Sequence, residues 1–289
     1  MVEIERYFQP ESLEEAIKLL RRYGAKAKIM AGGTDLVYLL KAEKVTPQYI
    51  ISINFIPGLD RIEMRDGGMR LGARVNLNAL LESPEVKEKF PCLIDAILPF
   101  ASTQIRNMAT VGGNLCHAAP SADMAPPLIV LGTKAEIAGP RGKRSIPLED
   151  FFVGPNRTVL KPNEMLVSLR LPNPPPGSGS CYFKHAIRGA MEIAFVGVAA
   201  YVRLKDGRCD DVRIALGAVA PTPMRASEAE RALKGKELTD EAIVRSAELA
   251  AQECRPISDV RCSAEYRREM VKVFTRRAIN LALKRARGD

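Results

Sequence analysis

The sequence has few of the side chains from which metal centres are built. Its 289 residues include two histidines and six cysteines, and no two cysteines have C-x-x-C spacing. Zinc sites and iron–sulfur clusters need several such ligands together, usually with two of them close in sequence. We therefore expect no metal centre within this chain. Six scattered cysteines also make no disulfide framework, which indicates a reducing, cytoplasmic location.

Long apolar runs are missing as well. The apolar stretch from Ala194 to Val202 is among the longest, and it is about half as long as a membrane-spanning helix must be. The N-terminal segment from Met1 to Tyr7 carries charges where a signal peptide has its apolar core. The sequence thus predicts a soluble protein without a membrane span.

Tryptophan is absent and aromatic residues make up 6% of the chain, although the formal net charge is +9. Between Arg261 and Asp289, nine Lys and Arg stand against three Asp and Glu, so a net +6 lies in one terminal segment at helical spacing. We interpret this segment as a helix with a solvated basic face. A docking surface for an acidic partner is the alternative. Because the basic residues are not interleaved with aromatic ones, we expect no nucleic-acid partner, and a basic interaction module is only a further alternative.

The length suits about two domains, and 46% hydrophobic with 27% charged residues is a globular composition. The segment Pro172–Ser180, PNPPPGSGS, cannot continue a helix or a central strand, because proline lacks the backbone donor and the Gly/Ser part is flexible. We place the boundary there. The predicted units are a first domain over 1–173, a linker over 174–180 and a second domain over 181–289.

The first domain has an α+β pattern in two parts. In the small α/β subdomain, 1–55, the capping-box sequence Ser12-Leu-Glu-Glu15 begins a helix that ends near Gly24. The larger subdomain, 56–173, has hairpin signals and antiparallel character. The predicted elements are strands over 27–31, 49–53, 61–64, 69–73 and 164–171, helices over 77–89 and 91–102, and hairpin turns at 66–68 and 139–142. The second domain is predicted as a small three-stranded antiparallel sheet, over 182–188, 193–204 and 212–219, followed by helices that begin near Thr239 and Ser263.

Two glycine pairs are the candidates for chemistry. The first lies in Ile29–Leu36, IMAGGTDL, and the second in Thr110–Asn114, TVGGN, followed by small and polar residues up to Asp123. A glycine pair before a helix leaves backbone N–H groups free and lets an anion approach. The first loop is neither a Walker A nor a G-x-G-x-x-G motif, so a tight turn without a ligand is its alternative. Asp123 has its own alternative, as the cap of a helix around Leu128.

The two loops together resemble the FAD-binding subunit of molybdenum hydroxylases, the family of the xanthine, carbon monoxide and aldehyde dehydrogenases. The segments that carry the resemblance run in order through nearly the whole chain: AGGTDL at 31–36, QIRNMA at 104–109, ATVGGNLCHAAPSADMAPPL at 109–128, YFK at 182–184 and ALGAVAPTPMR at 215–225. The resemblance implies a vanillyl-alcohol-oxidase-like (PCMH) fold. In that fold a two-subdomain domain holds FAD between its subdomains, and a small further domain packs beside it.

The resemblance also implies which residues contact FAD. The first loop would wrap the pyrophosphate and ribityl part, the second loop would do so from the other side, and Asp123 would face the adenosine side. The implied contacts are Ile29, Met30, Ala31, Gly32, Gly33, Thr34, Asp35, Leu36, Phe100, Thr110, Val111, Gly112, Gly113, Asn114, Asp123, Leu166 and Lys184. Without the resemblance, Phe100 and Leu166 would be taken as core residues and Lys184 as a solvated lysine. No residue is assigned a catalytic role.

The implied function is that of the medium subunit of a heterotrimer. A small subunit would carry two [2Fe-2S] clusters, a large subunit would hold molybdopterin, and FAD would pass electrons to an external acceptor such as NAD or a quinone. A dimer of such heterotrimers is expected. The alternative is a stand-alone FAD-dependent oxidoreductase, which would need its own acid–base residues. Cys116 and His117 do not supply them, because adjacent side chains point apart, and we interpret them as local packing.

Overall fold

The computed structural model describes residues 3–65, 67–189 and 191–288. Asp66, in the turn predicted at 66–68, lies outside these ranges. The helices are α1 Leu13–Tyr23, α2 Leu36–Lys41, α3 Leu77–Glu82, α4 Pro84–Lys89, α5 Pro91–Ile97, α6 Thr103–Met108, α7 Val111–His117, α8 Ala125–Val130, α9 Ser227–Leu233, α10 Asp240–Glu253 and α11 Ala264–Arg287. The strands are β1 Arg6–Phe8, β2 Ala27–Met30, β3 Tyr49–Ser52, β4 Ile62–Arg65, β5 Gly68–Gly72, β6 Lys134–Gly139, β7 Gly142–Pro147, β8 Phe152–Gly154, β9 Arg157–Thr158, β10 Met165–Pro172, β11 Ser178–His185, β12 Val196–Lys205, β13 Arg208–Gly217 and β14 Met224–Arg225.

The small N-terminal part is a parallel sheet in the order β1-β3-β2, packed with α1. Helix α1 begins as predicted, because the Ser12 hydroxyl accepts a hydrogen bond from the backbone N–H of Glu15. It ends at Tyr23, and the C-cap residue that follows, Gly24, has a positive φ of 51°, which suits glycine. Strand β1 was not predicted, since three residues are too few to show a pattern.

The larger part of the first domain is built on an antiparallel sheet in the order β4-β5-β10-β6-β7. One face of this sheet joins helices α3, α4, α5, α7 and α8 in the main hydrophobic core, through apolar side chains such as Leu71 and Leu169. Part of the other face, including Met165 and Val167, packs against the small N-terminal part. The remainder of that second face carries charged side chains.

The predicted helix over 77–89 is two helices. Ser83 is in an extended conformation between α3 and α4, and its hydroxyl accepts a hydrogen bond from the N–H of Val86. Pro84 explains the break, because the residue before a proline is pushed out of the helical region. Similarly, the predicted helix over 91–102 ends at Ile97, and Ser102 caps the start of α6 instead.

The C-terminal part is an antiparallel sheet in the order β11-β12-β13-β14, covered by α9, α10 and α11. Four strands replace the three that were expected. The additional strand, β14, has two residues and pairs with Ala215 and Leu216 of β13. It lies just after Pro221 and Pro223, so its sequence resembles a turn. Strand β11 begins at Ser178, inside the segment predicted as linker.

An ion pair ties α11 to the first domain. The Arg285 guanidinium donates to both carboxylate oxygens of Asp95 on α5, over 2.6 and 3.0 Å, and also to the Ser180 carbonyl. Asp95 additionally accepts from the N–H of Tyr182. Within the described ranges, no helix is both long enough and apolar enough to cross a membrane.

Candidate FAD site

The first glycine loop connects β2 to α2 and presents free hydrogen-bond donors. Gly33 has a φ of +74°, a conformation that glycine adopts without strain. The backbone N–H groups of residues 32–35 have no acceptor among the described residues, and residues 31–34 are only half-buried. Successive unpaired N–H groups around a turn with a positive φ form a concave anion-binding surface. The loop therefore suits a phosphate or pyrophosphate.

The end of α6 lies directly against this loop. A Cβ atom on Gly32 would overlap the carbonyl oxygen of Met108, so only glycine permits this approach of two backbones. On the far side, Nε2 of His117 lies 3.9 Å from Oδ1 of Asp35. The structure thus brings the first loop beside the region that follows the second.

The second glycine loop has its donors already bonded. The N–H of Val111 donates to Val75 over 3.0 Å, and that of Gly112 donates to Ala73 over 2.9 Å. The N–H of Gly113 donates to the Thr110 hydroxyl over 3.0 Å, which caps α7. Thr110, Val111 and Gly112 are buried. This loop is therefore fixed by internal bonds.

Gly112 is required by packing. A Cβ atom there would overlap the carbonyl oxygen of Ala73 and lie 2.7 Å from the Ala73 methyl group. Asn114, two residues further along α7, accepts a hydrogen bond from the N–H of Met124 over 3.3 Å. The second loop consequently holds the segment that contains Asp123 in place.

Asp123 forms a buried ion pair with the second domain. Its Oδ2 accepts from Nζ of Lys184 over 2.8 Å, and its Oδ1 accepts from the Tyr182 hydroxyl over 2.9 Å. The Asp123 and Lys184 side chains are 8% and 5% exposed. Burial raises the pKa of Asp123, while Lys184 and Tyr182 act in the opposite direction. Asp123 does not cap α8, which has Met124 at its N-cap and no side-chain cap, so the capping alternative was wrong.

Comparison with known proteins decides the family. The model described as "FAD binding domain in molybdopterin dehydrogenase" matches residues 2–174, and that of the "CO dehydrogenase flavoprotein C-terminal domain" matches residues 181–282. The chain belongs to the FAD-binding subunits of the molybdopterin dehydrogenases. It is 35% identical to the xanthine dehydrogenase FAD-binding subunit of Escherichia coli O157:H7, over 100% of this chain and 99% of that one.

Carbon monoxide dehydrogenase shows the same family relationship in sequence and in structure. Its medium chain from Hydrogenophaga pseudoflava is 35% identical over 96% of both chains. The solved structure of the enzyme from that organism, in a form that lacks the Mo-pyranopterin moiety, superposes with a TM-score of 0.95 over 99% of both chains. The α+β, two-part FAD-binding fold with a small C-terminal domain is thereby confirmed. The chain is thus a flavoprotein subunit of an oxidoreductase complex of the xanthine and carbon monoxide dehydrogenase type.

The remaining predicted FAD contacts of this family member lie in different surroundings. Leu166 is 3% exposed and packs in the main core, opposite Ile137 on β6. Phe100 is half-buried against that core, and its carbonyl accepts from Arg106 at 2.8 Å. Arg106 belongs to α6, the helix whose last residue meets Gly32. Phe100 is therefore linked to the first loop through α6. The side chain of Leu166, by contrast, belongs to the hydrophobic core.

Sequence reasoning missed the part that Tyr182 plays in this site. The signal was available, because residues two apart on a strand point to the same side. Tyr182 and Lys184 on β11 therefore reach Asp123 together. Cys116 and His117 are on α7, with Cys116 exposed and His117 directed toward Asp35. Among the described residues, no three His, Cys, Asp or Glu side chains come together as they would around a metal.

Proposed function

We propose that this chain is the FAD-binding medium subunit of a heterotrimeric molybdenum hydroxylase. In this proposal a small partner subunit carries [2Fe-2S] clusters, a large one holds molybdopterin, and the final electron acceptor is NAD or a quinone. Bound FAD would accept electrons singly and release them in pairs. The observation that carries the proposal is the run of unpaired N–H donors at residues 32–35, in a chain of this family.

Those donors suit the pyrophosphate of FAD. A pyrophosphate is an anion with many acceptor oxygens, and a half-buried row of backbone donors is its usual protein partner. In the proposal, residues Ile29–Leu36 supply the donors and residues Thr110–Asn114 form the facing wall. Because the second loop is fixed by internal bonds, it would position the cofactor mainly by shape.

The Asp123–Lys184 pair is the proposed polar contact on the domain boundary. Both side chains are buried and hydrogen-bonded, so their positions are fixed before a ligand arrives. Phe100 and Leu166 are also proposed contacts of FAD, the former through its half-buried ring.

The division of the chain into a domain over 1–173, a linker over 174–180 and a domain over 181–289 stays a prediction. It is supported by the gap between the two family matches, which end and begin at 174 and 181.

The substrate of the complex is not a property of this chain in our proposal. The xanthine and carbon monoxide dehydrogenase relatives are each 35% identical to it, although their names state different substrates.

We propose that the complex is a dimer of heterotrimers in the cytoplasm, without a nucleic-acid partner. Purification of the native chain should give a three-subunit complex. A native chain that is found alone and oxidises an organic substrate by itself would instead support the stand-alone oxidoreductase.

Titration of the purified chain with FAD tests the proposal directly. The folded chain should bind one FAD, seen as a shift of the flavin absorption bands and quenching of flavin fluorescence. Gly33→Ala should weaken binding by about tenfold, because an alanine at φ +74° distorts the loop. Gly235→Ala is the matched control, since Gly235 has a φ of +78° and open space around its Cα. A folded wild-type chain that binds no FAD would contradict the proposal.

A further inference from the structure

We propose that the outer face of the five-stranded sheet carries a second anion site, which binds a phosphate group. In the register of this sheet, Arg70 on β5 is directly opposite Arg170 on β10, and Arg170 is directly opposite Lys134 on β6. Side chains opposite each other on neighbouring strands are about 5 Å apart at Cβ and point the same way. Three cations therefore stand side by side across three strands.

The charge of this row is only partly compensated by carboxylates, one of which, Glu63, is opposite Arg70 on β4. Like charges directly opposite each other on adjacent strands destabilise a sheet. Glu63 and Glu136 are each 3.9 Å from Arg70, and Glu136 is 3.4 Å from Arg170. Lys134 has no carboxylate within ion-pair distance in the part of the chain that the structure describes. The compensation inside the protein is thus loose.

Both carboxylates are held more tightly by other groups. Glu63 accepts from Nε and Nη2 of Arg65, at 3.0 and 2.5 Å. Glu136 accepts a short hydrogen bond from the buried hydroxyl of Ser168. With Arg65 included, four cations face two carboxylates among the described residues of this patch, which leaves a charge of +2 on them. A phosphate dianion has the matching charge.

A concave space is present at the same place. A cavity of about 240 Å³ is lined by Arg65, Arg70, Lys134 and Arg170, together with Gly67, Gly68 and Gly132. Of the described residues that line it, none is acidic. Arg70 is 19% exposed and forms the base, while Arg65 and Arg170 are 55% and 60% exposed at the rim, where each would exchange part of its contact with Glu63 or Glu136 for the ligand. Arginine pairs with phosphate through two parallel hydrogen bonds, which favours phosphate over a simple halide.

This site is separate from the proposed FAD site. Arg170 is four residues along β10 from Leu166, a separation of about 13 Å on an extended strand. None of the residues of the two glycine loops lines the cavity. The phosphate group could belong to free inorganic phosphate or to a nucleotide, and the experiment includes both.

The test uses the full chain saturated with FAD, so that the first glycine loop is occupied. Calorimetric titration with inorganic phosphate should show one saturable site. In a parallel titration, ADP should bind more tightly than inorganic phosphate if the phosphate group belongs to a nucleotide. Arg170→Gln should weaken binding by about tenfold. Arg245→Gln is the control, because Arg245 is equally exposed, at 63%, and lies on α10. It should bind phosphate like the wild type.

A variant of opposite sign separates binding from damage to the fold. Glu136→Gln keeps an acceptor for the Ser168 hydroxyl but removes the negative charge, so phosphate should bind about threefold to tenfold more tightly. Loss of structure could not produce tighter binding. The proposal is overturned if the FAD-loaded chain shows no saturable phosphate binding, if Arg170→Gln binds like the wild type, or if Glu136→Gln weakens binding. These outcomes do not bear on FAD binding, which is measured first.

Discussion

The two glycine loops are similar in sequence, but their backbones are used differently. In the first loop the N–H groups of residues 32–35 have no acceptor among the described residues, and the loop is half-buried. In the second loop the N–H groups of Val111, Gly112 and Gly113 are all bonded within the protein. A glycine pair therefore permits close approach in both cases, but only the first leaves donors for a ligand.

The difference assigns distinct tasks to the two loops. In our proposal the first loop binds the cofactor, and its glycines are needed for a positive φ and for the contact with Met108. The second loop is built to hold its neighbours, through Ala73 on one side and Met124 on the other. Substitutions in the first loop should lower the FAD affinity. Substitutions in the second region, which we define as the second loop together with the Asp123–Lys184 pair, should lower the free energy of unfolding.

Lys184→Met should have the largest effect on stability. It leaves the Asp123 carboxylate buried with only the Tyr182 hydroxyl, and breaking a buried pair in this way costs about 3–5 kcal/mol. The free energy of unfolding from urea titration measures the loss. The double variant Asp123→Asn, Lys184→Met should recover part of it. Equal stability of Lys184→Met and wild type would show that the pair is not a structural element of the second region.

Gly32→Ala should have the largest effect on FAD affinity. The added methyl group overlaps the Met108 carbonyl, so the loop must move and its donors move with it. We expect affinity to fall about a hundredfold, which corresponds to about 2.8 kcal/mol. Fluorescence titration measures the affinity, and circular dichroism verifies the fold. Wild-type affinity in a folded variant would remove the distinction between the loops.

Gly112→Ala, in contrast to Gly32→Ala, should lower the stability of the protein and leave the FAD affinity nearly unchanged. Its methyl group is forced against the backbone of Ala73, and overpacking of this kind costs about 1–3 kcal/mol of stability. FAD affinity per folded chain should change less than threefold. A large loss of affinity with unchanged stability would mean that the second loop binds FAD in the same way as the first.

Thr110→Val should have the smallest effect. It removes the hydroxyl that accepts from Gly113, and the loss of such a helix cap costs about 1 kcal/mol. The thermal midpoint should fall by a few degrees, and Thr110→Ser should restore it because serine caps equally well. A thermal midpoint of Thr110→Ser as low as that of Thr110→Val would contradict the assignment of the effect to the capping hydroxyl.

Much of this architecture follows from local sequence signals. The helix starts at Ser12, Thr239 and Ser263 were predicted, and each of these hydroxyls accepts the expected capping hydrogen bond. The hairpin at 139–142 was predicted from its glycines and joins β6 to β7. These features depend on a few neighbouring residues, so they can be predicted from a single sequence.

Features that depend on distant partners could not be predicted. The pairing of Asp123 with Lys184 joins residues 61 positions apart. The row of Arg70, Arg170 and Lys134 requires the register of three strands. Likewise, whether the N–H groups of a glycine loop are free depends on what packs against it. The sequence placed both loops in one site through the family resemblance, but it did not distinguish their tasks.

Amide hydrogen exchange, followed residue by residue with and without FAD, tests the difference between the loops most directly. The amides of Gly32, Gly33, Thr34 and Asp35 should exchange rapidly in the free chain and become protected when FAD binds. The amides of Gly112 and Gly113 should be protected in both states. Saturation with FAD that leaves the exchange of residues 32–35 unchanged would contradict the account.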